Sequence, residues 1–119
     1  MACRVTEICV DCAEPEVVGL FWAEVLGWEA SVDEDGDVQL QGPEGWPTYL
    51  FIRVPEPKTV KNRIHLDVNA TDRDQAAEVE RILALGATRA DVGQGKQSWV
   101  VLADPEGNEF CVLRSRVDP

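Results

Sequence analysis

The sequence lacks any uninterrupted apolar stretch long enough for a transmembrane helix, which needs about 20 apolar residues. Its opening residues, MACRVTEICV, also lack an apolar core of signal-peptide length and pass directly into an alternating strand pattern. We therefore expect a cytoplasmic protein, in which the four cysteines Cys3, Cys9, Cys12 and Cys111 are reduced.

Basic residues are also scarce. The 119-residue chain has 11 Lys and Arg against 22 Asp and Glu, which gives a net charge of -11. Such a chain repels nucleic-acid phosphates and anionic lipid, so neither is an expected partner, whereas a cationic small molecule would be attracted. With 45% apolar residues, the length suits one domain with a substantial core.

Three short motifs lack the spacing that would make them functional sites. The CxxC at residues 9–12 has no second CxxC, and on a strand its two thiols face opposite sides, so packing is the expected role. The acidic stretch at residues 33–37 lacks the ligand spacing of an EF-hand. Residues 93–96 lack the phosphate-loop spacing, so both stretches are predicted to be turns.

What the sequence does contain is an internal repeat. Pro-Glu-Gly occurs at residues 43–45 and again at 105–107, VLGWEA at 25–30 corresponds to ALGATR at 84–89, and Glu7 corresponds to His65. The offsets of 62, 59 and 58 residues differ as small loop insertions would make them differ. Each half has an alternating strand, a helical pattern and three further strand patterns, so the repeat predicts two βαβββ units.

The predicted elements take the same order in both halves. Those of the first half are a strand at 5–12, a helix from Pro15 that ends at Gly27, and strands at 29–32, 37–41 and 48–54. Those of the second half are a strand at 63–69, a helix capped by Thr71 or Asp72 that ends at Gly86, and strands at 88–92, 97–103 and 109–113. We expect a single domain over 1–119, with module 1 at about 4–54, a linker at 55–62 and module 2 at about 63–114.

Three segments resemble the vicinal oxygen chelate superfamily, in its glyoxalase and bleomycin-resistance branch: CAEPEVVGLFWAEVLGW, KTVKNRIHLDV and VVLADPEGNEFCVL. The resemblance covers nearly the whole chain in the right order. It implies an α+β fold in which tandem βαβββ modules form a cup-shaped, eight-stranded mixed sheet, and it implies a homodimer.

The resemblance also implies a metal site. Metal-dependent members take ligands from the first and last strands of each unit, and the corresponding positions here are Glu7, His65 and Cys111, the last in place of an acidic ligand. A carboxylate, an imidazole and a thiolate suit zinc, although nickel, iron or manganese is also compatible with the family. The alternative is that Glu7 and His65 hydrogen-bond inside a wet cup while Cys111 packs as a small apolar group.

His65 is the only histidine and the only side chain whose ordinary pKa lies near neutrality. Without a metal it would serve as an acid or base that Glu7 or Asp67 orients, so Glu7, His65 and Asp67 are the candidate catalytic residues. The alternative is a structural histidine whose hydrogen bonds are satisfied.

A small-molecule ligand is the expected partner, and five residues are candidates to bind it. The basic cluster of Lys58, Lys61 and Arg63 suits a carboxylate or phosphate, or else is a solvated linker paired with surface acids. Trp46 and Trp99 suit a flat or cationic ligand, or else pack in the core or at a dimer interface.

Two functions remain open at this point. The first is a glyoxalase-like enzyme of the lyase or isomerase type, although authentic glyoxalase I activity is not expected because ligand positions are missing. The second is a protein of the bleomycin-resistance type, which sequesters a small molecule, such as a cationic aromatic drug, without chemistry. A regulatory module without a ligand is a third option.

Overall fold

A computed structural model describes residues 2–119, which divide into two compact units, one ending at Pro57 and one beginning at Lys58. The first unit contains β1 (Glu7–Cys12), α1 (Pro15–Leu26), β2 (Glu29–Val32), β3 (Val38–Gln41) and β4 (Thr48–Arg53). The second contains β5 (Asp67–Val68), α2 (Gln75–Leu85), β6 (Thr88–Arg89), β7 (Val100–Ala103) and β8 (Glu109–Val112). The predicted α+β fold of two βαβββ modules is confirmed, whereas the module limits and the linker stay predictions. No helix in this described part of the chain is long and apolar enough to cross a membrane.

The two sheets have the same topology. Their strand orders are β1-β4-β3-β2 and β5-β8-β7-β6, and in each the first strand pairs in parallel with the last while the other pairs are antiparallel. The predicted alternation of β1 is present, since Cys12 is buried while Glu7, Cys9 and Asp11 are exposed.

Helix α1 begins and ends where its local signals predict. Pro15 occupies the first turn, and Gly27 closes the helix in the left-handed conformation at φ 69°, which favours glycine. Gly19 lets the helix lie close against the sheet, because a Cβ there would come within 2.8 Å of the Val38 side chain. Val18 and Phe21 are buried on the same helix.

Helix α2 is capped by Asp74, not by the predicted Thr71 or Asp72. The Asp74 carboxylate accepts a hydrogen bond from the backbone N–H of Ala77 at 2.8 Å, which satisfies one of the unpaired donors of the first turn. Asp72 instead accepts hydrogen bonds from the Arg73 guanidinium, with the closer pair at 2.9 Å.

Strand β5 is much shorter than its predicted range of 63–69. It pairs with β8 at Asp67 and Val68 alone, and the carbonyls of Leu66 and Val68 accept hydrogen bonds from the backbone N–H groups of Cys111 and Leu113. Upstream, the Asn62 N–H donates to the Glu109 carboxylate at 3.0 Å instead of to a strand. Residues 63–66 are therefore an irregular segment, in which the predicted inward-facing Ile64 is 86% exposed.

Candidate functional site

The second unit contains a cavity of about 320 Å³. Its wall is formed by the segment before β5, the loop before β7, and the strands β7 and β8. One part of the wall is polar and the other is apolar and aromatic. The lining residues are Lys61, His65, Asp67, Val92, Gln94, Trp99, Val101, Glu109, Phe110, Cys111 and Leu113.

Three metal-ligating side chains meet in this wall. One ligand atom each from His65, Asp67 and Cys111 lies within 4.8 Å of the other two, and within residues 2–119 this is the one group of three His, Cys, Asp or Glu residues so placed. The parallel register places Asp67 directly opposite Cys111. The His65 Nδ1 atom lies 3.4 Å from an Asp67 carboxylate oxygen.

The Cys111 thiol is held in its neutral form. Burial raises its pKa, and the negative charge of Asp67 and a hydrogen bond with that carboxylate raise it further, while Lys61 acts in the opposite direction. A thiol in this state is a weak nucleophile, because the thiolate is the reactive species. A bound metal would remove the proton, since thiolate is the form that coordinates.

Glu109 ties the segment that follows Pro57 to the cavity wall. One of its carboxylate oxygens lies 3.1 Å from the Lys58 Nζ, and the carboxylate also accepts the hydrogen bond from the Asn62 N–H. Burial would raise the pKa of Glu109, but the backbone hydrogen bonds from Asn62 and from Glu109 itself, together with Lys58, outweigh burial and lower it. Glu109 is therefore ionised and engaged at neutral pH.

The donor set of His65, Asp67 and Cys111 fits zinc better than magnesium or calcium. Zinc accepts nitrogen, oxygen and sulfur ligands at about 2.0–2.3 Å in a tetrahedron, whereas magnesium and calcium require oxygen ligands. In such a tetrahedron the ligand atoms lie about 3.3–3.8 Å apart, so no pair here, all being within 4.8 Å, has to close by more than about 1.5 Å. His65 and Asp67 are both partly exposed, which leaves them room to do so.

The predicted site residues fall in different units. His65, Asp67 and Cys111 come together in the second unit, whereas Glu7 is exposed on β1 of the first. Sequence reasoning grouped Cys111 with Glu7 and His65 and treated Asp67 only as an orienting group. The direct pairing of Asp67 with Cys111 was missed because it depends on strand register, which the short β5 does not reveal in sequence.

The predicted ligand-binding residues also divide. Lys61 and Trp99 line the cavity, whereas Lys58 pairs with Glu109, and Arg63 is exposed outside the lining. Trp46 belongs to the first unit, where it is 64% exposed and makes an edge-to-face contact with Trp28 at 6.1 Å.

Val92 and Gln94 were not predicted as part of the wall. The glycine-rich stretch at residues 93–96, which follows Val92 and contains Gln94, was predicted to be a turn. The fold brings this loop to the cavity beside Trp99. Its glycines, Gly93 and Gly95, adopt positive φ angles, so the sequence signal for a turn was sound but did not indicate what the turn contacts.

Known structures resemble this chain over nearly its full length. A glyoxalase/bleomycin resistance protein/dioxygenase family enzyme from Burkholderia phytofirmans PsJN is 17% identical with a TM-score of 0.69, over 90% of this chain and 94% of that one. The fosfomycin resistance protein FosX from Listeria monocytogenes is 12% identical with a TM-score of 0.73, over 98% and 94%. A point mutant of FosX, complexed with Mn(II) and a dihydroxypropylphosphonic acid, gives 12% identity and a TM-score of 0.70, over 98% and 93%.

At these identities the likeness shows the fold alone, and no curated protein matches the chain. The sequence itself supplies the closer relationship, because the family model described as a glyoxalase-like domain matches residues 7–113. The predicted resemblance to the glyoxalase and bleomycin-resistance branch of the vicinal oxygen chelate superfamily is thereby confirmed. This chain belongs to the glyoxalase-like domain family.

Proposed function

We propose that this protein is a metal-assisted small-molecule enzyme of the lyase or isomerase type, whose metal is held by His65, Asp67 and Cys111. The observation that carries the proposal is the meeting of nitrogen, oxygen and sulfur ligand atoms within 4.8 Å of one another in a cavity wall. The FosX complex with Mn(II) supports it, because a protein of this fold binds a metal together with a small acid.

The residues of the site have separate tasks in this proposal. A bound divalent metal acts as a Lewis acid toward a ligand oxygen. His65 and Asp67 are partly exposed and supply ligands from the segment before and within β5, while Cys111 supplies the third from β8. Glu7 lies on β1 of the first unit, stays a predicted catalytic residue, and is tested apart from the three ligands.

A second function is supported by the aromatic part of the wall. Trp99 is 38% exposed at the cavity, where Val101 and Phe110 extend the apolar surface. Such a wall would hold a flat molecule without changing it, as a sequestering protein of the bleomycin-resistance type does. Stoichiometric binding with the ligand recovered unchanged favours this second function, and multiple turnover of the ligand excludes it.

The proposed metal site is tested first by metal content. Reduced, tag-free protein is measured by mass spectrometry after equilibration with zinc, beside His65→Ala, Asp67→Asn and Cys111→Ser. The matched control is Cys9→Ser, which removes an exposed thiol from the first unit. We expect about one zinc per chain in the wild type and in the control, and loss of zinc in the three ligand variants.

Two results would contradict the metal site. The first is a wild type that retains no zinc, nickel, iron or manganese after reconstitution. The second is stoichiometric metal that survives both His65→Ala and Cys111→Ser. Glu7→Gln is measured in parallel, because Glu7 was also predicted to be a metal ligand, and metal retained in this variant would contradict that prediction.

We also propose a homodimer in the cytoplasm that binds neither nucleic acid nor membrane. The dimer follows from the family resemblance, and the excess of 22 acidic over 11 basic residues supports the exclusion of nucleic acid and anionic membrane. Light scattering coupled to size-exclusion chromatography tests the dimer, and a single monomer mass across micromolar concentrations would contradict it.

A further inference from the structure

In the metal-free protein, the positive and negative charges of the side chains at the cavity cancel. Lys58 neutralises Glu109 at 3.1 Å, and Lys61 offsets Asp67 in the same wall. The wall therefore has no excess of negative charge, although the whole chain carries -11. Exposed acids that lie more than about 8 Å from the cavity act on it weakly, because solvent screens charges beyond that distance at physiological salt.

A divalent metal changes the sign of this balance. It brings two positive charges, and at most one of them is cancelled when Cys111 gives up its proton. The metal-loaded cavity is therefore positive whichever protonation state Cys111 adopts. A cationic ligand, which the overall charge of the chain would favour, is disfavoured inside this wall.

From this balance we infer that the metal-loaded cavity selects a small organic oxyanion, with Lys61 as the side chain that recognises its charged head group. The inference rests on the proposed metal site and deepens it by naming the class of ligand. It replaces the cationic ligand expected from composition with an anionic one, and it assigns the recognition to one lysine of the basic cluster.

Lys61 is the member of the basic cluster that is placed for this task. Lys58 is engaged by Glu109, and Arg63 lies outside the lining. The Lys61 Nζ donates only a long hydrogen bond, of 3.3 Å, to the carbonyl of its neighbour Asn62. Lys61 nevertheless lines the same cavity as Cys111. An anion bound near Cys111 is thus within the influence of the Lys61 ammonium group.

The apolar part of the cavity wall indicates the shape and polarity of the rest of the ligand. Trp99, Val101 and Phe110 present an apolar and aromatic surface. The volume of about 320 Å³ lies at the small end of ligand cavities, which span about 300–1,000 Å³. A compact ring or short apolar chain that carries one oxyanion group fits both properties.

The test uses four probes of one shape and different charge: benzoate, phenylphosphonate, benzamide and benzylammonium. Calorimetric titrations are made on zinc-free and zinc-loaded protein. We expect benzoate or phenylphosphonate to bind the zinc-loaded protein at least about tenfold more tightly than benzamide. Whichever of the two binds more tightly identifies the preferred head group, carboxylate or phosphonate. Because linkage is reciprocal, the preferred anion must also tighten zinc binding by the same factor by which zinc tightens the anion.

Variants separate Lys61 from the metal. In the zinc-loaded protein, Lys61→Met should weaken the preferred anion about tenfold, and Lys61→Arg should restore most of the affinity. Lys96→Met is the matched control, because it removes an exposed lysine of the same unit that does not line the cavity. Benzamide affinity reports the state of the cavity itself and should not change in any of the three variants.

The outcomes also separate this inference from the proposed function. Loss of stoichiometric zinc from the wild type overturns the metal site and this inference with it. Retained zinc with equal affinity for benzoate and benzamide, strongest binding of benzylammonium, or an unchanged anion affinity in Lys61→Met overturns this inference alone.

Discussion

Asp67 lies directly opposite Cys111 in the parallel pairing of β5 with β8, and its carboxylate raises the pKa of the Cys111 thiol in addition to the effect of burial. This pairing places a hard oxygen ligand beside a soft sulfur ligand on adjacent strands. His65 lies two residues before Asp67 and completes the group with an imidazole 3.4 Å from the same carboxylate. The arrangement fits a metal that accepts all three atom types better than it fits a free nucleophile.

Replacing Asp67 by Asn should make Cys111 more reactive in metal-free protein. Loss of the negative charge lowers the pKa of the thiol, so more thiolate is present at every pH below that pKa. The iodoacetamide alkylation rate of the peptide containing Cys111, followed by mass spectrometry, should rise, and its pH profile should shift to lower pH. Asp118→Asn removes an exposed carboxylate of the same unit and should leave both unchanged. An unaltered profile in Asp67→Asn would show that burial alone sets the pKa.

Zinc affinity should rise steeply with pH. The Cys111 thiol is protonated across the neutral range because its pKa is raised, so binding must displace its proton. One displaced proton corresponds to about a tenfold gain in affinity per pH unit. Competition with a chelator of known affinity between pH 6.5 and 8 measures the slope. A flat profile would mean that Cys111 is not a ligand, and Cys111→Ser should show that flatter profile with weaker binding.

The limits of sequence-based prediction are visible at particular residues. The bounds of α1 follow from Pro15 and Gly27, because these two residues restrict the backbone locally whatever surrounds them. The cap of α2 was wrongly placed because several acidic and hydroxyl side chains precede the helix, and only the backbone geometry shows that Asp74 reaches the Ala77 N–H. Local chemistry thus predicts an element better than it predicts the choice among similar caps.

The remaining errors of the sequence-based predictions concern contacts between residues that are far apart in the sequence. The alternation around His65 predicts a seven-residue strand, yet the strand has only two residues, and upstream of it the Glu109 carboxylate accepts a hydrogen bond from the Asn62 N–H. When a side chain, and not a neighbouring strand, accepts a backbone hydrogen bond, the hydrophobic periodicity of the sequence does not show it. The same applies to Asp67 and Cys111, whose pairing depends on the register of two strands that lie 44 positions apart in the sequence.

The Asp74 cap should contribute measurably to stability. Asp74→Ala leaves the Ala77 N–H without its protein partner and should lower the free energy of unfolding by about 1 kcal/mol. Asp74→Asn retains a capping oxygen and should cost much less. Urea unfolding followed by tryptophan fluorescence measures both variants. Equal stability of Asp74→Ala and the wild type would show that solvent replaces the cap without loss.

Glu109 should make the stability of the fold depend on pH in the acidic range. Its pKa in the folded chain is lowered, because the hydrogen bonds from the Asn62 N–H, from its own backbone and from Lys58 outweigh burial. The contribution is therefore fully present above the ordinary pKa of a glutamate and is lost as the pH falls through the lowered pKa of the folded state.

The matched pair for this effect is Glu109→Gln and Glu109→Ala. At pH 7 the alanine variant loses both the charge and the acceptor for the Asn62 N–H, so its free energy of unfolding should fall by about 1–3 kcal/mol. The glutamine variant keeps an acceptor oxygen and loses only the attraction to Lys58, so it should fall by less. Urea unfolding at pH 7 and again at pH 3 measures the difference. The advantage of the wild type over Glu109→Gln should shrink at the lower pH, because Glu109 attracts Lys58 less as it takes up a proton, and an advantage that is equal at both pH values would contradict the assigned role of the carboxylate.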